Sequence, residues 1–309
     1  MDVTRRHDRR LAGYLRTVAL CAGLVPAGAA AAMPAAVQPV ELVWKLEAGT
    51  DLVYRESQQV EIEMPGATGP VTLLRSGSTE RWSVLQVDGD GNATVRMTTE
   101  EAYMNFDGPM GSISADPADQ GGSGAFLDGI SFTVVLDPRG VVVEMSGLEE
   151  MREALRAELR DLPVPPLLDG MLGDHVLDSQ SAQGPLVMPL PTGPVGVGST
   201  WDSDFALPIP GFGSITGATS YRIESLDGDV VVIGSSGTLS LPDGAASLLV
   251  PVQFSDPTIV GSSRFDAGKG LLLGMESTMR AEIAVAVAER EFVVEVAMTT
   301  TLEFIEGGE

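Results

Sequence analysis

The 309-residue chain has one cysteine, Cys21, two histidines, His7 and His175, and only 5% aromatic residues. These shortages exclude more chemistry than they first suggest. The opening stretch carries Arg5, Arg6, Arg9, Arg10 and Arg16 and runs into an apolar block, Thr17 to Ala32, that ends in small side chains. That order of features is a secretory signal with cleavage near Ala32. The block is too short to cross a bilayer as a helix, and Leu20 before Cys21 does not suit a lipoprotein anchor. Export would remove the cysteine and His7. The mature chain is then expected to hold no disulfide, no thiolate nucleophile and one imidazole. No catalytic residue, cofactor site or metal site is expected from so small a supply of nitrogen and sulfur ligands.

Basic residues are the next shortage. Taking residues 1–32 from totals of 19 basic and 43 acidic residues removes five Arg and two Asp, which leaves a net charge near −27. A field of that sign repels phosphate backbones, so no nucleic-acid partner is expected. Long apolar runs are also missing after residue 33, so no transmembrane helix is expected in the mature chain.

What the chain does have is alternation. Met279, Ala281, Ile283, Val285 and Val287 alternate with polar residues, and after Glu289-Arg290 the same holds for Phe292, Val294, Val296, Met298, Leu302 and Phe304. The spacing predicts a long antiparallel hairpin with one apolar face. Self-comparison aligns Trp82–Asp90 with Tyr221–Asp229, and Phe132–Gly140 more loosely with Arg264–Gly270. Upstream, Ala48-Gly49-Thr50 and Val197-Gly198-Ser199-Thr200 each lead into an aromatic-containing strand. An internal repeat built of hairpins is the expectation, because Asp-Gly turns reverse strands easily.

Between the halves, Ser146 and Glu149 form a capping box ahead of Leu148, Met151, Leu155, Leu159 and Leu162 at helical spacing. Pro163 ends that helix, and Pro165-Pro166 opens a second one bearing Met171 and Leu172. His175 falls on the apolar side of this short helix and reads as structural. The segment Asp107–Gly124, rich in Gly, Ser and Asp, is expected to be a mobile loop. Asp88-Gly89-Asp90-Gly91-Asn92 begins like a calcium loop, but Ala93 and Thr99 stand where that loop needs Gly and an acidic ligand, so a hairpin turn is expected.

The fold class expected is mainly β: two related curved antiparallel sheets with a short helical insert between the halves. The expected divisions are 1–32 signal peptide, 33–177 first half with the insert, 178–198 linker and 199–309 second half.

Several short motifs resemble those of a family of exported bacterial proteins known only as a domain of unknown function. They are Leu46 to Tyr54, Trp82 to Val95, Gly108-Pro109-Met110-Gly111, Asp137-Pro138 with Gly140 leading to Ser146-Gly147-Leu148, and Val197-Gly198 with Trp201. The resemblance supplies no activity and no catalytic residue. The expected architecture is also similar to that of periplasmic lipoprotein carriers, which implies a lipid or a lipoprotein segment as partner. On that reading Leu148, Met151, Leu155, Leu159, Met171 and Leu172 would line a ligand site between helix and sheet. The function expected is that of a non-enzymatic envelope protein, periplasmic or extracellular, that binds an apolar ligand or protein segment. A structural role in envelope assembly and a carboxylate-dependent hydrolase are the alternatives.

Overall fold

The computed structural model describes residues 39–63, 69–108, 111–115, 129–147, 149, 153, 188–209, 213–240, 252–287 and 290–305. Among them every named element is a strand, and only the isolated positions Glu149 and Glu153 are helical. The first series is β1 (Asp51–Glu63), β2 (Val71–Val87), β3 (Ala93–Gly108), β4 (Gly111–Ala115), β5 (Ser131–Leu136) and β6 (Val142–Ser146). The second series is β7 (Thr200–Ile209), β8 (Gly213–Asp227), β9 (Val230–Ser240), β10 (Val252–Asp266), β11 (Leu271–Val287) and β12 (Arg290–Ile305).

These strands form one sheet in the order β6-β5-β3-β2-β1-β12-β11-β10-β9-β8-β7, with β4 paired to the far end of β3. All pairings are antiparallel, and two meanders are joined where β12 returns to lie against β1, from Val53↔Ile305 to Glu63↔Glu295. The expectation of two separate sheets is therefore corrected. The C-terminal strand has a free β1 edge beside it, and pairing there satisfies two rows of backbone groups at once. The expected C-terminal hairpin is present, and its register, with Met279↔Met298 and Ala281↔Val296, puts the alternating apolar residues on one face.

The helical insert is not among the elements of this fold. Leu148, Met151, Leu155, Leu159, Met171, Leu172 and His175 all lie outside the described residues. The Asp107–Gly124 expectation is corrected in part, because Gly111–Ala115 pairs with Met104–Gly108. Composition misled here: ladder hydrogen bonds come from the backbone and need no apolar side chain.

The sheet is bent. Trp44 N–H donates to Pro138 O at 2.8 Å and the next residue, Lys45 N–H, donates to Gly270 O at 3.1 Å. Those two carbonyls sit in the β5–β6 and β10–β11 turns, five inter-strand steps apart, which a flat sheet would separate by about 24 Å. Two neighbouring residues reach both only if the turn ends curl towards each other. Residues 188–199 complete the closure at this end, with a Val40↔Val195 bridge and Leu190 N–H on Arg139 O at 3.0 Å.

One core fills the curl. It joins Tyr54, Trp82, Val95 and Leu136 of the first meander to Ile223, Ile233, Phe265 and Leu272 of the second. Leu42, Trp44, Met188 and Leu190 from the two crossing segments are buried among them. Trp44 sits centrally, with its ring centroid 6.2 Å from Trp82 and 5.7 Å from Phe265.

The same local geometry occurs in both meanders. Gly49 N–H bonds Val84 O and Val84 N–H bonds Thr50 O; Gly198 N–H bonds Ile223 O and Ile223 N–H bonds Ser199 O. Gly49 has φ 85° and Gly198 φ 86°, a conformation that side chains with a Cβ avoid. A register shift follows Val84 in β2 and Ile223 in β8, and another precedes Leu136 in β5 and Phe265 in β10.

Candidate functional site

Because side chains alternate across a strand, the registers sort every strand residue onto the core face or the outer face. The core face has three tiers. Nearest the turns is the buried core. Next comes a polar belt: Glu56 and Gln58 of β1, Ser76, Ser78 and Glu80 of β2, and Thr300 of β12, placed there by Leu52↔Trp82, Glu56↔Ser78 and Gln58↔Ser76. Beyond the belt the face turns apolar again, with Val60 and Ile62 of β1, Leu74 of β2, Met104 of β3, Met279 of β11 and Met298 of β12.

This third tier is not part of the core cluster. Its side chains are half-buried, and no described element lies over them. Apolar area left partly open on a concave sheet is costly in water at about 25 cal/mol per Å², and it is the common lining of small-molecule sites.

The belt holds the electrostatics. Glu56 and Glu80 are diagonal neighbours on β1 and β2, since Glu56 pairs with Ser78. Burial raises the Glu80 carboxyl above its ordinary range, opposed by Trp82 and Ser78. Burial also raises Glu56, and the charge of Glu80 raises it further. The indole N–H of Trp82 lies near enough to Glu80 to favour its charged form, yet it closes no hydrogen bond of normal geometry. Trp82 is 3% exposed and Trp44 6%, and both Nε1 atoms are buried without a partner among the described residues. Such orphan donors are rare in folded proteins. The hydroxyl of Tyr54, by contrast, donates to Leu272 O at 3.2 Å, and burial raises its pKa.

The outer face is organised differently. Arg55, Arg75, Arg81, Arg96, Arg264 and Arg280 all fall there by register. Arg81 Nε donates to Glu100 Oε1 at 2.6 Å, and Arg280 Nη1 to Glu295 Oε1 at 2.9 Å. A shallow pocket of about 260 Å³ opens on this side, lined in part by Ser57, Gln59, Arg75, Tyr103, Thr299 and Thr301.

The Asp88 turn is closed by its own donors. Asp88 Oδ1 accepts from the backbone N–H of Asp90 and Asn92, both at 2.9 Å, and Oδ2 accepts from Asn92 Nδ2 at 2.9 Å. The hydrogen bonds from Asn92 hold this carboxyl below its ordinary range. Its oxygens serve the hairpin, as the sequence led us to expect.

The six residues singled out from sequence lie outside the described residues, and the belt and the apolar tier are built from others. The belt and the apolar tier were missed because Glu56 and Glu80 are ordinary in sequence. Only the pairing of β1 with β2 sets them side by side. The signal that was available is the alternation of β12, whose Val294, Val296 and Met298 already marked an apolar face.

Among curated proteins, no sequence matches the chain. Among solved structures, a lipovitellin described for its lipid–protein interactions aligns with 84% of this chain at 10% identity and a TM-score of 0.44. The chain spans 25% of that lipovitellin chain. DynF from the dynemicin biosynthesis pathway of Micromonospora chersina aligns with 87% of this chain and 86% of its own, at 9% identity and a TM-score of 0.24. Ail, the attachment invasion locus protein of Yersinia pestis, aligns over 84% of this chain and 100% of its own, at 5% identity and a TM-score of 0.16. At those scores none of the three bears on what the chain does. Residues 90–255, more than half of the chain, match a family of unknown function, and the protein belongs to that family, DUF6263.

Proposed function

We propose that this is an exported, non-enzymatic protein that holds the apolar chain of a small amphiphile against the third tier of its core face. The observation that carries the reading is that tier itself: Val60, Ile62, Leu74, Met104, Met279 and Met298 share one concave face, outside the core and half-open. An unbranched acyl chain suits such a surface, because it needs only contact area and no directional partner. Met104, Met279 and Met298 add side chains that re-pack readily around different chains. Export is supported by the arginine-led apolar block of residues 5–32, and the absence of catalysis by the shortage of histidine and cysteine. The matching turns at Gly49 and Gly198 support a duplication of one strand meander, with β12 added to close the join between the copies.

The test uses 1-dodecanol, an uncharged single chain, titrated calorimetrically into the purified protein. Binding is expected, and Val296→Asp and Met298→Asp each weaken it by about tenfold or more, since a carboxylate in that tier must be desolvated. Thr299→Asp, next to Met298 in sequence but on the outer face, leaves the affinity unchanged. Absence of dodecanol binding, or equal loss in all three variants, removes the reading.

Among the described residues β6 and β7 have no outer partner strand, which favours a second reading, assembly by strand addition, with β7 offering a ten-residue edge. Cysteine placed at Asp204 on β7 would then crosslink to one protein neighbour in cells, whereas a monomeric binding protein gives none.

A further inference from the structure

The polar belt has features that a plain apolar binder does not need. Two carboxylates, Glu56 and Glu80, stand side by side on the core face, and among the described residues no strand contributes a cation to the belt: Arg290, which shares that face by its pairing with Val287, is at the far end of β12 from Thr300. Arg55, Arg75 and Arg81, the arginines of β1 and β2, are on the other side, and Arg81 is already paired there with Glu100. Lys45 is held at the turn end, where it donates to Ala267 O at 2.9 Å and Gly268 O at 3.1 Å. A second observation concerns the indole beside Glu80, which closes no hydrogen bond of normal geometry. Trp82 Nε1 is buried, lacks a partner, and belongs to the residue that follows Glu80 on the same face of β2.

We infer that the belt receives the head group of the amphiphile, and that this head is an amino alcohol: an ammonium between Glu56 and Glu80, with its oxygen accepting from the Trp82 indole. This rests on the binding reading above and adds the ligand's chemical class. The ammonium supplies the positive charge that the belt lacks, and charge-assisted hydrogen bonds are about twice as strong as neutral ones. An oxygen two carbons away satisfies an N–H that is otherwise left dry. A fatty acid is disfavoured, because a third carboxylate would enter beside two. The geometry is continuous: along β1 the sequence Tyr54, Glu56, Gln58, Val60, Ile62 passes from core through belt to apolar tier, so head and tail of one molecule meet matching surfaces.

The experiment titrates the full chain with N-dodecylethanolamine, dodecylamine, 1-dodecanol and dodecanoate, each below its critical micelle concentration. N-dodecylethanolamine is expected to bind about tenfold or more tightly than dodecanol, the worth of one charge-assisted hydrogen bond, and dodecanoate more weakly than both. The double variant Glu56→Gln/Glu80→Gln abolishes that preference while keeping the affinity for dodecanol. The control Glu276→Gln/Glu282→Gln removes the same charge from the outer face and retains the preference. Trp82→Phe keeps the ring and removes the N–H, so it weakens N-dodecylethanolamine more than dodecylamine. If both double variants keep the preference, or both lose it, the attraction belongs to the acidic chain as a whole and the belt assignment is wrong. Equal binding of dodecanol and the two amines overturns the head-group inference and leaves the apolar tier standing; no binding of any probe overturns both.

Discussion

Trp44 is the residue on which the bend of the sheet turns. Its backbone reaches the β5–β6 turn while its ring fills the space between Trp82 and Phe265. Trp44→Ala is expected to cost about 3–5 kcal/mol in urea unfolding, the usual loss for a large buried aromatic. Glu80 acts in the opposite sense. Its carboxyl is raised by burial, so the folded protein carries a charge-burial cost above that raised value, and the cost is relieved as the pH falls toward the ordinary 4.5. Glu80→Gln is therefore expected to raise the melting temperature at pH 7, and the gain should shrink as the pH approaches 4.5. Loss of Glu80 also removes a charge that raises Glu56, which adds to the gain. The depressed Asp88 titrates with the opposite sign but equally in both proteins, so it cancels from the difference. A gain that persists unchanged at low pH would show that packing, not charge burial, is the cause. None of this was legible in sequence, where Trp44 lay outside every motif and Glu80 was one acid among many.

At the scale of elements, the hairpins were legible and their partners were not. Asp88, Asp137, Asp227 and Asp266 each precede a glycine-containing turn, and each turn is where the alternation of apolar residues breaks off. Local chemistry decides such turns, so local sequence announces them. The β1–β12 pairing joins residues near opposite ends of the chain, and nothing in either strand names the other. The paired glycines give an element-scale test. An added Cβ at Gly49 or Gly198 meets no atom within 4 Å, so replacement exposes the backbone strain alone. Gly49→Ala and Gly198→Ala are each expected to cost about 1–2 kcal/mol, the penalty of placing a Cβ at positive φ. Gly196→Ala, equally uncrowded but without a positive φ, should be neutral or slightly stabilising. Unequal costs at positions 49 and 198 would mean that the two turn-in geometries do different work.

At the scale of the whole molecule, the core decides how the protein unfolds. Residues 37–309 form one compact unit, and its core draws on both meanders and on both crossing segments. Neither meander encloses that core alone: the first supplies Tyr54 and Trp82, the second Ile233 and Phe265, and Trp44 touches one residue from each side. Shared burial of this kind couples the halves, since loss of either exposes apolar area of the other. The three tryptophans make the coupling measurable. Trp82 reports the first meander and Trp201, stacked on Tyr221 at 5.3 Å, reports the second. Single-tryptophan proteins that keep only Trp82 or only Trp201, with Phe at the other two positions, are expected to differ from each other in stability. Within each protein, however, the fluorescence transition in urea should coincide with the transition in far-ultraviolet circular dichroism, because the whole sheet melts with the reporter. If the Trp201 signal melts well before the circular dichroism while the Trp82 signal does not, the second meander unfolds on its own. The core shared through Trp44 would then hold the halves in contact without making them cooperative.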